Sequence, residues 1–397
     1  MTMASDGDAL ELDTTDVDRW LGVPLQRLQP RYPITESDIG RWAQGMQNPN
    51  PLYYDPDFAA ASTFGGIVAP QSFTVAAGDG HGATPAVQGH VPGSHMLFGG
   101  DEWWFFGPRI RPGDLLQRDT MLFDYRVTDT RFAGPTMFSR GDTTYINQRG
   151  ELVGKQRSTA IRYLVEEAVR RSSFAESAPE PVWQPEELAA NDERKRAYYR
   201  ALHAKGHTAT SFDVVEKGER LPERVIGPHS VASFTTEHRA RPTTVWGAAY
   251  YTDGPTGLWD AGWISEMGRD FDRAKYDPSA NDGLLEGASR GHVHPEHAQL
   301  IGMPRAYGYG SSMGSWILDY IENWAGEGGW TGHLLAQYRN PAFVGDITIL
   351  TGEVKEIVVP PNGSGRPFVT VDVEMRTQSD AVMAVATAEV YLDDASH

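Results

Sequence analysis

One order of signals occurs twice along this chain, and the repetition limits its folds more than any single segment does. In the first half Tyr53 is followed by Gly65, an apolar stretch, and then Arg111-Pro112-Gly113-Asp114 between strand-like runs. In the second half His292 is followed by Gly302, an apolar stretch, and then Ala342-Phe343-Val344-Gly345-Asp346, again between strand-like runs. Tyr53 and Asp114 are 61 positions apart, and His292 and Asp346 are 54 apart. A shared order over comparable spans marks a duplicated unit. The length of 397 residues agrees, since it suits two domains of ordinary size.

Local patterns fill in each unit. Thr35 stands ahead of Ile39, Trp42, Ala43 and Met46 and has Asp38 three places on, which predicts a helix start. Asn48-Pro49-Asn50-Pro51 then ends that helix, because proline removes a backbone donor and restricts its predecessor. The apolar residues 73–77 are expected to open the first unit's main helix, and a Gly/Pro/His-rich loop follows over 78–93. Strands are expected over 101–106, 115–127, 136–148 and 152–163. In the second unit 231–251 reads as a helix or mixed segment, with an irregular stretch on to 285. Residues 313–324 carry apolar side chains at helical spacing, and 333–338, 346–359, 367–378 and 381–392 read as strands. A helical region followed by antiparallel strands is an α+β plan. The expected division is an acidic flexible arm over 1–20, a first domain over 21–163, a partly helical linker over 164–217 and a second domain over 218–397.

Composition removes whole classes of function. With no cysteine there is no disulfide, thiolate metal site or cysteine nucleophile. A net charge of −18 opposes binding to nucleic acid or anionic lipid. No apolar run approaches the roughly 20 residues needed to span a bilayer. The acidic start lacks the basic and apolar parts of a signal peptide, so a soluble, cytoplasmic protein is expected. No GxGxxG follows a strand and opens a helix, so no dinucleotide cofactor is expected, and no serine nucleophile is expected either.

The run Gln47-Asn48-Pro49-Asn50-Pro51-Leu52-Tyr53-Tyr54-Asp55-Pro56-Asp57-Phe58-Ala59 resembles the hydratase motif of the MaoC-like family, Gly-Asp-x-Asn-Pro-(Leu/Ile)-His-x-Asp. With Tyr53 in place of the motif histidine, it is similar to the variant dehydratase domain at the N-terminus of double hot-dog proteins. Gly291-His292-Val293-His294-Pro295-Glu296-His297-Ala298 resembles a degraded second copy, with His292 on the catalytic histidine. Gly310, eighteen positions on, matches the glycine whose amide binds the thioester carbonyl in that family. The resemblance implies a double hot-dog fold, two central helices each wrapped by an antiparallel sheet, with the two sheets joined side by side. It also implies reversible addition of water to a 2-enoyl thioester of CoA or a carrier protein. His292 and Gly310 would be the catalytic pair, and Asn48, Tyr53, Asp55, His294 and Tyr309 would line the substrate in a pocket between the halves.

The family pairs its histidine with an aspartate five residues earlier, and here that position is Gly287, with Ser289 at the asparagine position. The first half has Asn48 and Tyr53 as its pair. His292 then acts alone, or recruits His294, Glu286, Asp282 or another subunit. Two rivals stand beside the hydratase: a silent acyl-binding or partner-subunit protein, and a hot-dog enzyme turned to another elimination or cyclisation. His294 and His297 lack an acidic third ligand, so no metal is expected. His81, His90 and His95 read as solvated loop histidines, and Arg109 and Arg111 as exposed loop arginines. The edges of a pseudo-dimer's sheet predict a homo-oligomer, with a hetero-partner subunit as the alternative.

Overall fold

The computed structural model describes residues 11–25, 27, 32–77, 82, 84–171, 179–241, 290–361 and 364–393. It opens with α1 (Thr15–Asp18), α2 (Glu36–Gly45) and α3 (Pro56–Ala61). Thr35 caps α2 reciprocally: its hydroxyl accepts from the Asp38 amide at 3.1 Å, and the Asp38 carboxylate accepts from the Thr35 amide at 2.9 Å. Ile39, Trp42 and Ala43 form the buried face of this helix.

Four strands follow, β1 (Ser94–Phe105), β2 (Gln117–Thr130), β3 (Gly134–Ile146) and β4 (Leu152–Leu164), then α4 (Val165–Arg171) and α5 (Pro185–Ala204). The second half contains β5 (Arg220–Ile226), α6 (Val231–Arg239), α7 (Pro295–Leu300) and α8 (Gly310–Ala325). It ends with β6 (Trp330–Tyr338), β7 (Thr348–Val358), β8 (Phe368–Arg376) and β9 (Val382–Tyr391). The nine strands among the described residues form one antiparallel sheet in the order β2-β3-β4-β1-β6-β9-β8-β7-β5. The two halves of the sheet join where β1 pairs with β6, from Gly100 opposite Gln337 to Trp104 opposite His333.

Within the sheet's curve, α8 is shielded from solvent from Ser311 to Ala325. A helix buried all round must find partners for its polar residues, and several of those on α8 find them in the first half of the chain. Ser72 Oγ donates to Asp319 Oδ1 at 2.6 Å, the Gln71 amide donates to Glu322 Oε2 at 3.1 Å, and Asn323 Nδ2 donates to Asn48 Oδ1 at 3.2 Å. Arg109 forms a buried ion pair with Glu322 and lies over the rings of Phe64 and Trp330.

Some expectations are corrected. Residues 73–77 do not open a long helix; the structure has a single 3-10 turn there, Gln71–Val75. The sequence beyond it, with Gly78, Gly80, Gly82 and Pro85, is poor in helix formers, and proline cannot continue a helix. β1 starts at Ser94, so His95 is a buried strand residue and not a solvated loop histidine. Arg109 is buried and paired rather than exposed. β5 was not foreseen because Arg220–Ile226 carries Pro222 and charges. An edge strand tolerates both, and its pairing with β7 shifts register between Leu221 and Arg224.

Both sheet edges carry cover. Gly22 and Leu25 donate to the Leu122 and Thr120 carbonyls of β2, each at 2.9 Å. α5 lies along β5, with Arg194 Nε 2.8 Å from Glu223. No described helix is long and apolar enough to cross a membrane.

Candidate functional site

His292 ends a 3-10 turn, Arg290–His292, just ahead of α7. Its imidazole is buried, and Nδ1 lies 2.6 Å from the Tyr307 carbonyl oxygen. A carbonyl only accepts, so Nδ1 carries the proton and Nε2 keeps the lone pair. The ring packs on Tyr307 and Tyr309, with centroids 4.5 and 4.0 Å away. Burial holds its pKa down to about 4; the Tyr307 bond opposes this and the Arg241 charge adds to it. At neutral pH it is an uncharged base.

Tyr309 is the N-cap of α8 and supplies no side-chain cap. The first amides of a helix have no carbonyl within it to bond, so the Gly310 and Ser311 amides and the positive end of the helix dipole are available to an oxygen. Glycine is required at 310 because a Cβ there would run into the side chain of Phe98 on β1. The second half thus supplies the base and the helix start, while the first half supplies the wall against them. Arg241 strengthens the positive field, donating to Ser311 Oγ at 2.6 Å and lying over the Tyr309 ring.

Sequence reasoning missed several groups at this place. His95 is buried on β1, edge-on to Tyr163 at 6.0 Å; burial lowers its pKa to about 3 and the His292 imidazole adds to the lowering. Tyr163 in turn donates to the Ile301 carbonyl at 2.8 Å. His238 stacks on Tyr309 at 5.4 Å. Glu237 is 1% exposed, and among the described residues neither of its carboxylate oxygens has a hydrogen-bond partner of good geometry. Burial pushes its pKa up to about 8, and Ser312 beside it pulls the other way. The available signal was the repeat, which makes α6 the counterpart of α2. Phe234 and Glu237 are three positions apart on its buried face, and Phe234 packs on Gly308.

The other expected residues divide. The Tyr309 ring packs on His292, and Gly310 follows Tyr309 as the first residue of α8. His294 packs on His297 at 5.3 Å and lies 3.4 Å from Glu296 at the start of α7. Asp55 caps α3, its carboxylate accepting from the Asp57 and Phe58 amides at 3.0 and 3.1 Å. Asn48 Oδ1 accepts from the Asn50 amide and from Asn323, and Tyr53 is buried near Arg109 and Asp319. Asn48 and Tyr53 border a groove of 720 Å³ together with Gln44, Gln47, Tyr54 and Tyr199, and no residue from His292 to Gly310 lines it. Arg111 donates to the Phe64 carbonyl at 3.0 Å. His81, Gly287, Ser289, Asp282 and Glu286 lie outside the described residues. Among the described residues no group of three or more His, Asp or Glu could hold a metal ion.

Residues 19–156 match the family described as "FAS1-like, dehydratase domain region". No curated protein matches the chain by sequence. Among solved structures, a MaoC-like dehydratase is 17% identical with a TM-score of 0.62, over 95% of this chain and 100% of that one. A protein of Mycobacterium tuberculosis described as having a double hotdog fold is 14% identical with a TM-score of 0.53, over 93% and 96%. A MaoC-like dehydratase from Phytophthora capsici is 12% identical with a TM-score of 0.51, over 96% and 100%. The fold of this chain is the double hot-dog.

Proposed function

We propose that this chain, a MaoC-like double hot-dog protein whose first half matches a dehydratase domain, adds water reversibly to a 2-enoyl thioester at the junction of its halves. One observation supports this above the others. His292 and Gly310, eighteen residues apart in sequence, meet through Tyr307 and Tyr309, with a neutral imidazole nitrogen and a helix-opening amide left for a ligand. In this reading the thioester carbonyl accepts from the Gly310 amide, where enolate charge develops and the helix start stabilises it. His292 Nε2 takes the proton of the attacking water, and the Tyr307 carbonyl holds the opposite nitrogen so that the ring keeps one tautomer. Asn48, Tyr53, Asp55 and His294 remain proposed ligand-binding positions. Association with a further copy or a partner subunit also belongs to this proposal, and light scattering showing a single 43.8 kDa species would count against it.

The test is the absorbance of a conjugated enoyl thioester, followed with short, long and ring-bearing acyl groups. His292→Ala should lower turnover by roughly 10²–10⁴-fold with the fold intact, the usual worth of one positioned acid or base. Turnover surviving that change rejects the assignment. No turnover by the wild type, together with tight acyl-ligand binding, replaces the enzyme with a binding protein.

A further inference from the structure

We propose that Glu237 is the proton donor of this site, delivering its carboxyl proton to the substrate α-carbon while His292 takes one from water. The inference rests on the hydratase reading. Hydration needs two groups that move protons, and the motif supplies one: Gly287 stands at the acid position before His292, and Asn48 at the same register in the first half.

The fold brings an acid in from a different element. On α6, Glu237 lies buried beside Ser312 in the first turn of α8 and close to Tyr309, the residue before Gly310, so its neighbours bracket the carbonyl-binding amide. Among the described residues, and apart from the Ser312 hydroxyl beside it, neither carboxyl oxygen has a hydrogen-bond partner, although an underpartnered buried carboxyl destabilises a fold. It therefore forms no ion pair among the described residues. The charged and titratable groups around it are His238, Arg239 and Arg241 on its own segment and Tyr309 at the start of α8; the α2 residue packed on its backbone is Gly45, which has no charge. With burial the dominant influence, the carboxyl is protonated at neutral pH, the form a donor needs.

In the hydration direction the water oxygen bonds to the β-carbon as its proton passes to His292 Nε2. The π pair of the C=C bond moves into the carbonyl unit as an enolate held at the Gly310 amide. The enolate then forms a C–H bond at the α-carbon with the Glu237 proton. The product has gained H and OH, and the imidazolium proton returns to the Glu237 carboxylate, which resets both groups.

Steady-state kinetics of the full chain on an enoyl thioester, comparing wild type, Glu237→Gln, Glu237→Asp and His292→Ala, tests this. Glu237→Gln should lose roughly 10²–10⁴-fold in turnover at nearly unchanged KM, and Glu237→Asp, which keeps an acid on a shorter arm, should recover part of it. A Glu237→Gln enzyme as fast as wild type, beside an inactive His292→Ala, overturns the inference and leaves the hydratase reading standing. A wild type that turns over no thioester overturns both. Should circular dichroism show Glu237→Gln unfolded, Glu237→Asp decides: wild-type turnover overturns the assignment, and a loss of tenfold or more at unchanged KM supports it.

Discussion

Tyr53 and His292 hold corresponding places in the repeat, and each is followed by an apolar segment that meets the other half of the molecule. In the first half the segment begins at Gln71, whose amide is taken by the Glu322 carboxylate, and it ends after one 3-10 turn. In the second half it begins at Gly310, with no side-chain cap, and runs for sixteen residues as α8. Around Tyr53 the loop is pinned: Asn48 bonds Asn50 and Asn323, Asn50 caps the turn through the Leu52 amide at 3.1 Å, and Tyr54 donates to the Pro49 carbonyl at 2.7 Å. Around His292 the polar groups include a base nitrogen and a buried acid that has, among the described residues, only the Ser312 hydroxyl beside it. One copy of the plan has been turned into a brace for the other copy's helix. Duplication keeps the architecture while the hydrogen bonds differ between the copies.

The sharpest way to break this comparison is to treat both loops alike. The large loss of turnover expected for His292→Ala should have no counterpart at Tyr53, a proposed ligand-binding position, where Tyr53→Phe should leave turnover near wild type in the enoyl assay and raise only KM. Equal losses at the two positions would show that both loops serve the chemistry.

Next in size is the brace. Glu322→Gln removes the charge that meets buried Arg109 and weakens the acceptor of the Gln71 amide. Breaking one side of a buried pair costs about 3–5 kcal/mol, so urea or thermal unfolding should show a loss of that order.

The acid in the other half should respond to pH in a characteristic direction. Glu237 has a pKa of about 8 in the folded chain against an ordinary 4.5, so between these values the folded state holds a proton that the unfolded state has released. Its contribution to stability is therefore complete below about 4.5 and is lost as pH rises towards 8. Glu237→Gln escapes that loss, and its advantage over wild type should widen with pH by at most about 1.4 kcal/mol per unit. The lowered histidines His95, His229, His238 and His292 act in the opposite sense, but both proteins carry them and they cancel in the difference. Melting temperatures at pH 5, 6, 7 and 8 that run in parallel would show that Glu237 is ionised in the fold.

The smallest effect is expected at the pinned loop. Asn323→Ala removes neutral bonds to Asn48 and Tyr198 and should cost about 1–3 kcal/mol of stability, with turnover little changed.

What the sequence showed of this comparison follows from the range over which each signal acts. Strand alternation, the Thr35 cap and the helical spacing over 313–324 are local, and each reappears in the structure. The order of the repeat is also written along the chain. Arg109 looked exposed because its partner Glu322 lies 213 positions away. Glu237 and His95 escaped notice for the same reason: an acid on an amphipathic helix and a histidine after a Gly-rich loop read as solvated until tertiary packing buries them. The one-turn segment at Gln71 was misjudged because a mostly apolar stretch of five residues looks like a helix start, whatever the glycines after it do to its propagation.

The capture of the Gln71 amide by Glu322 also has a consequence for stoichiometry. A symmetric pair of hot-dogs would present two helix starts and take two acyl groups, whereas here one of the two is already filled from within the chain. Calorimetric titration with a non-reactive acyl thioester analogue should therefore saturate at one ligand per chain.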